Sequence, residues 1–308
     1  MNFNNVHTNN KISLHATDPI LENQLAPEVS VAISTYNHGQ FIEQTILSAL
    51  AQQTSFRFEI VIADDQSNDG TTAICKHYEG IYPAIIRVLD NEFKYGQSKN
   101  LERAVQHSRG KYIAYCEGDD YFTDLLKLQR QFDFMEKHSD VTVCFHRIVS
   151  VDEMGHIIEQ QNIERTPVIY ESEKLIHLFA PTPSLFFRKN AVDFPPEFHE
   201  VKSTDAFLFA LLADKGKGAD LGFIGAAYRK HPDGLFNRMN KLDRYEQTLH
   251  TRLKMKEAKI FSPEIHKEIK KELHRREWVY LKAMIKDLKI KELFKLTLFI
   301  LRYRLKFG

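Results

Sequence analysis

The sequence predicts an α/β fold on a mixed, mostly parallel sheet, and three observations carry the prediction. Short β-branched runs alternate with amphipathic helical stretches through the first half of the chain. Each run stops at a compact polar segment rich in Asn, Asp, Ser or Gly. The stretches between runs are long enough for the crossover helices that parallel strands require.

The elements follow in order. Val29-Ser30-Val31-Ala32-Ile33-Ser34 reads as a strand, broken by Thr35-Tyr36-Asn37-His38-Gly39. Phe41 to Gln53 then sets Ile42, Ile46, Ala49 and Leu50 on one helical face. Phe58 to Ala63 is a second strand, ended by Asp64-Asp65-Gln66-Ser67-Asn68-Asp69-Gly70, and Thr71 to Tyr78 returns as a helix. Ala84 to Leu89 is a third strand. Ser98 to Ser108 is helical, with Leu101, Ala104 and Val105 inward, and Lys111 to Cys116 is the fourth strand. This alternation places helices on both faces of the sheet.

The second half is mixed and extends the same sheet. Asp124 to His138 and Asp205 to Ala213 read as helices. Val141 to Val151, His156 to Gln160, Ser184 to Phe187 and Leu221 to Tyr228 read as strands. Beyond Asn240 the pattern is helical and basic, with Ser262-Pro263 as an N-cap and first helical residue.

Composition narrows the class. The 308 residues are 43% hydrophobic and 27% charged, as in a soluble globular chain. The net charge of +1 hides an asymmetry: residues 241–308 carry 19 Lys+Arg against 9 Asp+Glu, the remainder 23 against 32. A basic tail on an acidic body points to an anionic contact for the tail. Cys75, Cys116 and Cys144 show no metal-ligand spacing, which predicts a reduced, cytoplasmic protein. Residues 1–26 are Asn-rich and read as a mobile tail. No run of about 18 apolar residues predicts a membrane span.

The chemistry concentrates where strands end. Tyr115-Cys116-Glu117-Gly118-Asp119-Asp120 puts three carboxylates directly after a buried strand. Ligands of parallel α/β sheets bind at that edge. Carboxylates so close repel one another unless a cation joins them, which points to a hard divalent metal and a phosphorylated substrate. Asp64-Asp65 ends the neighbouring strand, although such residues also dominate turns.

Five segments in order resemble family 2 glycosyltransferases of the GT-A nucleotide-diphospho-sugar transferase fold. They are Val29 to Asn37, Val61 to Asp65 with Ser67 to Thr71, Glu117-Gly118-Asp119-Asp120, Ser203 to Phe207, and Tyr228-Arg229-Lys230-His231. They cover roughly residues 28 to 236. The resemblance implies a 27–240 transferase domain followed by a helical extension, 241–308. It implies that Ser34, Thr35 and Tyr36 line the base and ribose pocket, that Asp65 accepts from the base, and that Lys99 and Arg229 contact the nucleotide. Asp119 is implied to meet the ribose and, with Asp120 and His231, to hold Mn²⁺ or Mg²⁺. Glu117 stands where Asp is commonest and falls outside that metal set. Asp205 is implied as the general base, though Asp at a helix start also serves as a cap. Pro181 to Ser184 with Arg188 lies where relatives begin to contact acceptors.

The expected activity is inverting transfer from a nucleotide-sugar, a UDP-sugar favoured, to a saccharide or lipid-linked acceptor in polysaccharide or lipopolysaccharide assembly. A sugar nucleotidyltransferase would need a basic triphosphate loop, and Thr35 to Gln40 contains no Lys or Arg. A silent nucleotide-sugar-binding or assembly protein would not need the carboxylates at Asp65, Asp119 and Asp205. Lys291 to Lys306 fits either an interfacial helix, giving peripheral contact with the inner face of the cell membrane, or a helix packed on the body. No nucleic-acid-binding module is present.

Overall fold

Strand β1 (Val29–Thr35) is buried along its whole length, because its two faces feed different cores. Ala32 packs with Val61 and Ala63 of β2 (Phe58–Asp64) on one face, whereas Val31 and Ile33 pack with Ile60 and Ile62 on the other. Period-two alternation with both faces apolar is what a helix-covered parallel sheet demands. The structure, a computed structural model, describes residues 26–160, 165–234, 238–286 and 290–307, with side chains to 303. The tail expected over 1–26 lies outside the described residues up to residue 25.

The sheet continues with β3 (Ile86–Val88), β4 (Tyr112–Glu117), β5 (Tyr121–Phe122), β6 (Val141–Val151), β7 (Ile157–Gln160), β8 (Val168–Tyr170), β9 (Phe186–Arg188) and β10 (Lys217–Arg229). The order is β3-β2-β1-β4-β9-β6-β10-β5, with β7 on β6 and β8 on β10. Strands β1 to β4, β6 and β10 run one way and the other four run against them, so the sheet is mixed and mostly parallel as expected. The third strand is shorter than Ala84 to Leu89. Ser184 falls in a 3₁₀ turn, Thr182–Ser184, ahead of β9.

Helices α1 (Ile42–Leu50), α2 (Thr71–Ile81) and α4 (Lys127–Lys137) cover one face. Helix α3 (Gln97–His107), the short α5 (Ser172–Leu175) and α6 (Thr204–Ala213) cover the other. Helix α6 is apolar all round, with eight of its ten residues buried, which explains why its sequence shows no stripe.

The basic segment forms α7 (Lys241–Glu257), α8 (Pro263–Lys286) and α9 (Ile290–Phe307). Asn240 caps α7 by accepting from the Asp243 amide at 3.0 Å. Leu249, Leu273, Met284 and Leu296 build a core among the three helices. Met255, Ala258, Ile265 and Ile269 join the core of the body, so the extension is packed onto the sheet domain.

Candidate active site

The carboxyl ends of β1, β2 and β4 lie side by side, with Thr35 opposite Asp64 and Ser34 opposite Glu117. Their loops meet there and are tied together. Asn37 N donates to Ser67 Oγ at 2.8 Å, Asn68 N to Asn37 Oδ1 at 3.0 Å, and His38 N to Thr71 Oγ1 at 2.9 Å. Asn37 and Gln66 sit at φ of 54° and 58°, a region that Asn tolerates and Gln seldom enters. The ties between the loops hold this geometry.

Gly118 is dictated by crowding at the strand edge. A Cβ there would collide with the Thr35 hydroxyl and stand 2.9 Å from His38 Nδ1. Only glycine lets β4 turn so closely against β1 before presenting Asp119.

The two members of Asp64-Asp65 divide their work. Buried Asp64 accepts from Ser67 Oγ and Thr72 Oγ1, each at 2.5 Å, and builds the turn. The Asp65 carboxylate accepts from the amides of Tyr95 at 2.6 Å and Gly96 at 3.0 Å while lining the cavity.

Ser34, Thr35, Tyr36, Asp65, Glu117, Asp119, Asp205 and Arg229 all border one cavity of about 830 Å³. That volume suits a ligand larger than a single sugar. Lys99 is exposed and does not border it. Lys94, in the loop before α3, does, with Nζ 3.4 Å from the centre of the Tyr36 ring. Lys94, not Lys99, is thus the lysine of this stretch that borders the cavity, and its place in a loop gave the sequence no periodicity to mark it.

Arg229 borders the cavity, and its guanidinium is already engaged by the protein. Its guanidinium donates to Asp119 O at 3.0 Å, Glu153 O at 2.8 Å, Asp152 O at 3.3 Å and Gln44 Oε1 at 2.5 Å. Bonds from a charged donor are worth about 1.5–3 kcal/mol each, so these hold the guanidinium firmly in place. Arg229 clamps the acidic loop, and its amide donates to Asp120 Oδ1 at 2.9 Å. Arg188 is likewise structural, bonding Val141 O, Tyr112 Oη and Met135 O. Pro181 and Thr182 do border the cavity.

The acidic loop offers two overlapping ligand sets, each with its atoms within 4.8 Å of one another. One is His38, Asp119 and His231; the other is Glu117, Asp119 and Asp120. Asp119 belongs to both. Its Oδ2 lies 3.0 Å from His231 Nε2 and 3.8 Å from His38 Nε2. Burial pushes its carboxyl up, but His38 and His231 outweigh burial and hold it below the usual range. Burial and the charges of Asp119 and Glu117 push Asp120 far up. Burial, Asp119 and Asp205 push Glu117 to about 8.

Asp119 Oδ1 and Asp120 Oδ2 are buried without a hydrogen-bond partner, which is costly unless something else satisfies them. Carboxylates with imidazole fit a divalent cation, the imidazoles favouring Mn²⁺ over Mg²⁺. His38 was missed because its loop reads only as a strand breaker. A histidine at a strand's carboxyl edge was the available signal. Glu117, set apart in sequence, falls within reach of the same point as Asp119 and Asp120.

Asp205 occupies the first turn of α6 and borders the same cavity. The N-cap position belongs to Ser203, which makes no side-chain cap bond, whereas Asp205, in the first turn, accepts from the Ala206 amide. Burial raises its carboxyl, partly offset by the Ala206 amide and the charge of Arg252. A raised carboxylate is the stronger base. Arg252 and Arg276, from α7 and α8, border the same cavity. No sequence pattern marked them, since only tertiary packing brings them there.

Residues 30–212 match the family described as Glycosyl transferase family 2. An uncharacterized protein of Mycobacterium tuberculosis is 30% identical over 218 residues, covering 68% of this chain and 60% of that protein. The minor teichoic acid biosynthesis protein GgaA of Bacillus subtilis is 28% identical over 222 residues, covering 68% and 49%. The chain thus spans about half to three fifths of the length of these relatives. Among solved structures, S. aureus TarS (residues 1–349) in complex with UDP-GlcNAc gives a TM-score of 0.62 at 21% identity, covering 82% of this chain and 73% of that one. The mannosyltransferase PcManGT from Pyrobaculum calidifontis, in complex with GDP-Man and Mn²⁺, gives 0.58 at 15%, covering 85% and 76%.

Proposed function

Because the chain belongs to glycosyl transferase family 2 and has the GT-A fold with C-terminal helices, we propose that it is an inverting glycosyltransferase. The donor is a nucleotide-sugar, a UDP-sugar in first place. The acceptor is a saccharide or lipid-linked saccharide of a surface polysaccharide. The observation that carries this reading is one cavity bordered by Tyr36, Asp65 and Asp119 and also by the buried carboxylate of Asp205.

Each wall has its task. Tyr36 offers an aromatic face to the base, and Lys94 beside it adds positive charge for the phosphates. Asp119, with Asp120, His231, His38 and Glu117 around it, would hold a divalent cation. Such a cation, when bound, neutralises charge on the diphosphate. Asp205 accepts the proton of the acceptor hydroxyl as that oxygen bonds to the anomeric carbon and the carbon–diphosphate bond breaks. A single displacement inverts that carbon.

The reading is tested by thermal shift with UDP-, GDP- and TDP-sugars, with and without Mn²⁺. One donor is expected to stabilise the protein by about 2.7 kcal/mol at a hundred-fold excess over its Kd, with the shift dependent on Mn²⁺. No shift with any donor would reject it.

The proposal includes peripheral contact with anionic lipid. Helix α9 spends Leu296 and Ile300 on packing, yet Ile290, Phe294, Leu298 and Leu301 stay exposed along one face, with Lys291, Lys295 and Arg302 also exposed. Apolar residues framed by cations suit an anionic bilayer surface. No described helix is long and apolar enough to cross a membrane. Phe294→Glu with Leu298→Glu is expected to cut co-sedimentation with phosphatidylglycerol vesicles by about ten-fold or more, as charge replaces apolar anchoring. Wild-type sedimentation by that variant would count against the contact.

A further inference from the structure

The cavity does not end at Asp205. Its inner wall is built by the C-terminal helices, which bring Arg252, Glu272 and Arg276 to it. These residues lie beyond the stretch that matches the family, 30–212.

The charges there do not balance locally. Glu272 is fully buried, and burial pushes its carboxyl up. Bonds from Arg275, His177 and Arg276 outweigh this and hold it at about 2. Arg275 reaches it through Nε and Nη2, both at 2.7 Å, Arg276 through Nε at 2.6 Å, and His177 through Nδ1 at 2.9 Å. With that many donors, Glu272 has little capacity left for a further cation.

Arg252 is the cation left over. Among the described residues it makes no ion pair, and its one bond runs from Nη1 to Thr248 O at 3.3 Å. Its Nε is buried without a partner. Burial and the neighbouring Arg276 lower its pKa to about 10, against the opposing pull of Tyr280, Glu272 and Asp205, none of which bonds to it directly. An unsatisfied guanidinium in a cavity wall is costly unless an anion arrives to meet it. Asp205 feels the charge of Arg252 without pairing with it, and in the transferase reading it stays unpaired as the base.

We propose that the acceptor carries an oxyanion, phosphate or carboxylate, received by the guanidinium fork of Arg252 with Arg276 beside it. Asp205 lies on the same cavity, so the anion would fix the acceptor with its hydroxyl near the base. Planar guanidinium matches either oxyanion in a two-bonded manner. The inference rests on the transferase reading, and it assigns the C-terminal helices a part in choosing the acceptor.

The test is a thermal-shift titration of the full chain, preloaded with UDP and Mg²⁺ so that the diphosphate edge is filled. Inorganic phosphate is titrated in one arm and acetate in the other. A saturable shift in either arm, with its midpoint raised ten-fold or more by Arg252→Ala and less by Arg252→Lys, is the expected result. Response to phosphate alone identifies a phosphate-bearing acceptor, and response to acetate a carboxylate-bearing one. Far-UV circular dichroism checks that Arg252→Ala is folded. Should it not be, Arg276→Gln is expected to raise the same midpoint. No shift in either arm, or a midpoint indifferent to these substitutions, overturns the proposal. Failure of UDP to bind is recorded separately in the preloading step and bears on the transferase reading instead.

Discussion

Asp205→Asn is expected to lower kcat by about 10²–10⁴-fold, the usual contribution of a positioned general base, while donor affinity stays within about two-fold. The amide keeps the size and the neutral hydrogen bonds of the carboxyl but cannot take the hydroxyl proton. Fold and packing should survive, because the amide oxygen of Asn can still accept from the Ala206 amide in the first turn of α6. The pH profile carries the same assignment. Burial lifts the Asp205 carboxyl above the usual range. Its ionised form is the base, so kcat/KM should rise with pH through that raised value. In the Asp205→Asn enzyme this limb should vanish. Turnover at the wild-type rate, or an unchanged acidic limb in the variant, would remove Asp205 from the chemistry.

The parallel half of the sheet was legible because each of its strands is a β-branched run with two buried faces, as the all-buried β1 shows. Strands β5 and β8 were not. They are two and three residues long and exist through pairing with β10, as in Ala227 with Tyr121 and Ala219 with Ile169. The same divide runs through the site. Asp65, Asp119 and Asp205 follow or begin regular elements, and the structure gathers all three on one cavity. His38 depends on two loops being tied across each other, and Arg252 on a helix more than forty residues from Asp205 folding back. Arg229 was visible as a position, but the direction of its guanidinium, inward onto backbone carbonyls, is tertiary information. Sequence periodicity reports which element a residue occupies, and says little about which neighbours use up its hydrogen bonds.

Asp119→Ala is expected to abolish the Mn²⁺-dependent part of donor binding, lowering affinity by at least about 100-fold. Loss of residues that merely support metal ligands already costs 10–100-fold. Asp119 is the one residue shared by both candidate ligand sets, and its Oδ1 is a buried acceptor with no partner. Removing it takes the anion from between His38 and His231 and leaves Asp120 and Glu117 alone at the edge. Both of those are pushed toward the neutral form first by burial, which persists in the variant, and second by the charge of Asp119, which does not. Protonated carboxyls are poor ligands for a hard cation. The prediction is therefore steeper for Asp119 than for its acidic neighbours, although all three lie within four residues. Calorimetric titration with UDP, run with and without Mn²⁺, reads the difference directly. In the variant the two titrations should coincide near the metal-free affinity of the wild type. An Asp119→Ala protein that still gains affinity on adding Mn²⁺ would move the metal away from this loop. Equal sensitivity to Glu117→Gln would deny Asp119 its place at the centre of the site. Asp119 is held ionised by two imidazoles in a setting that otherwise favours neutral carboxyls. That makes it the charge on which the proposed donor edge would depend.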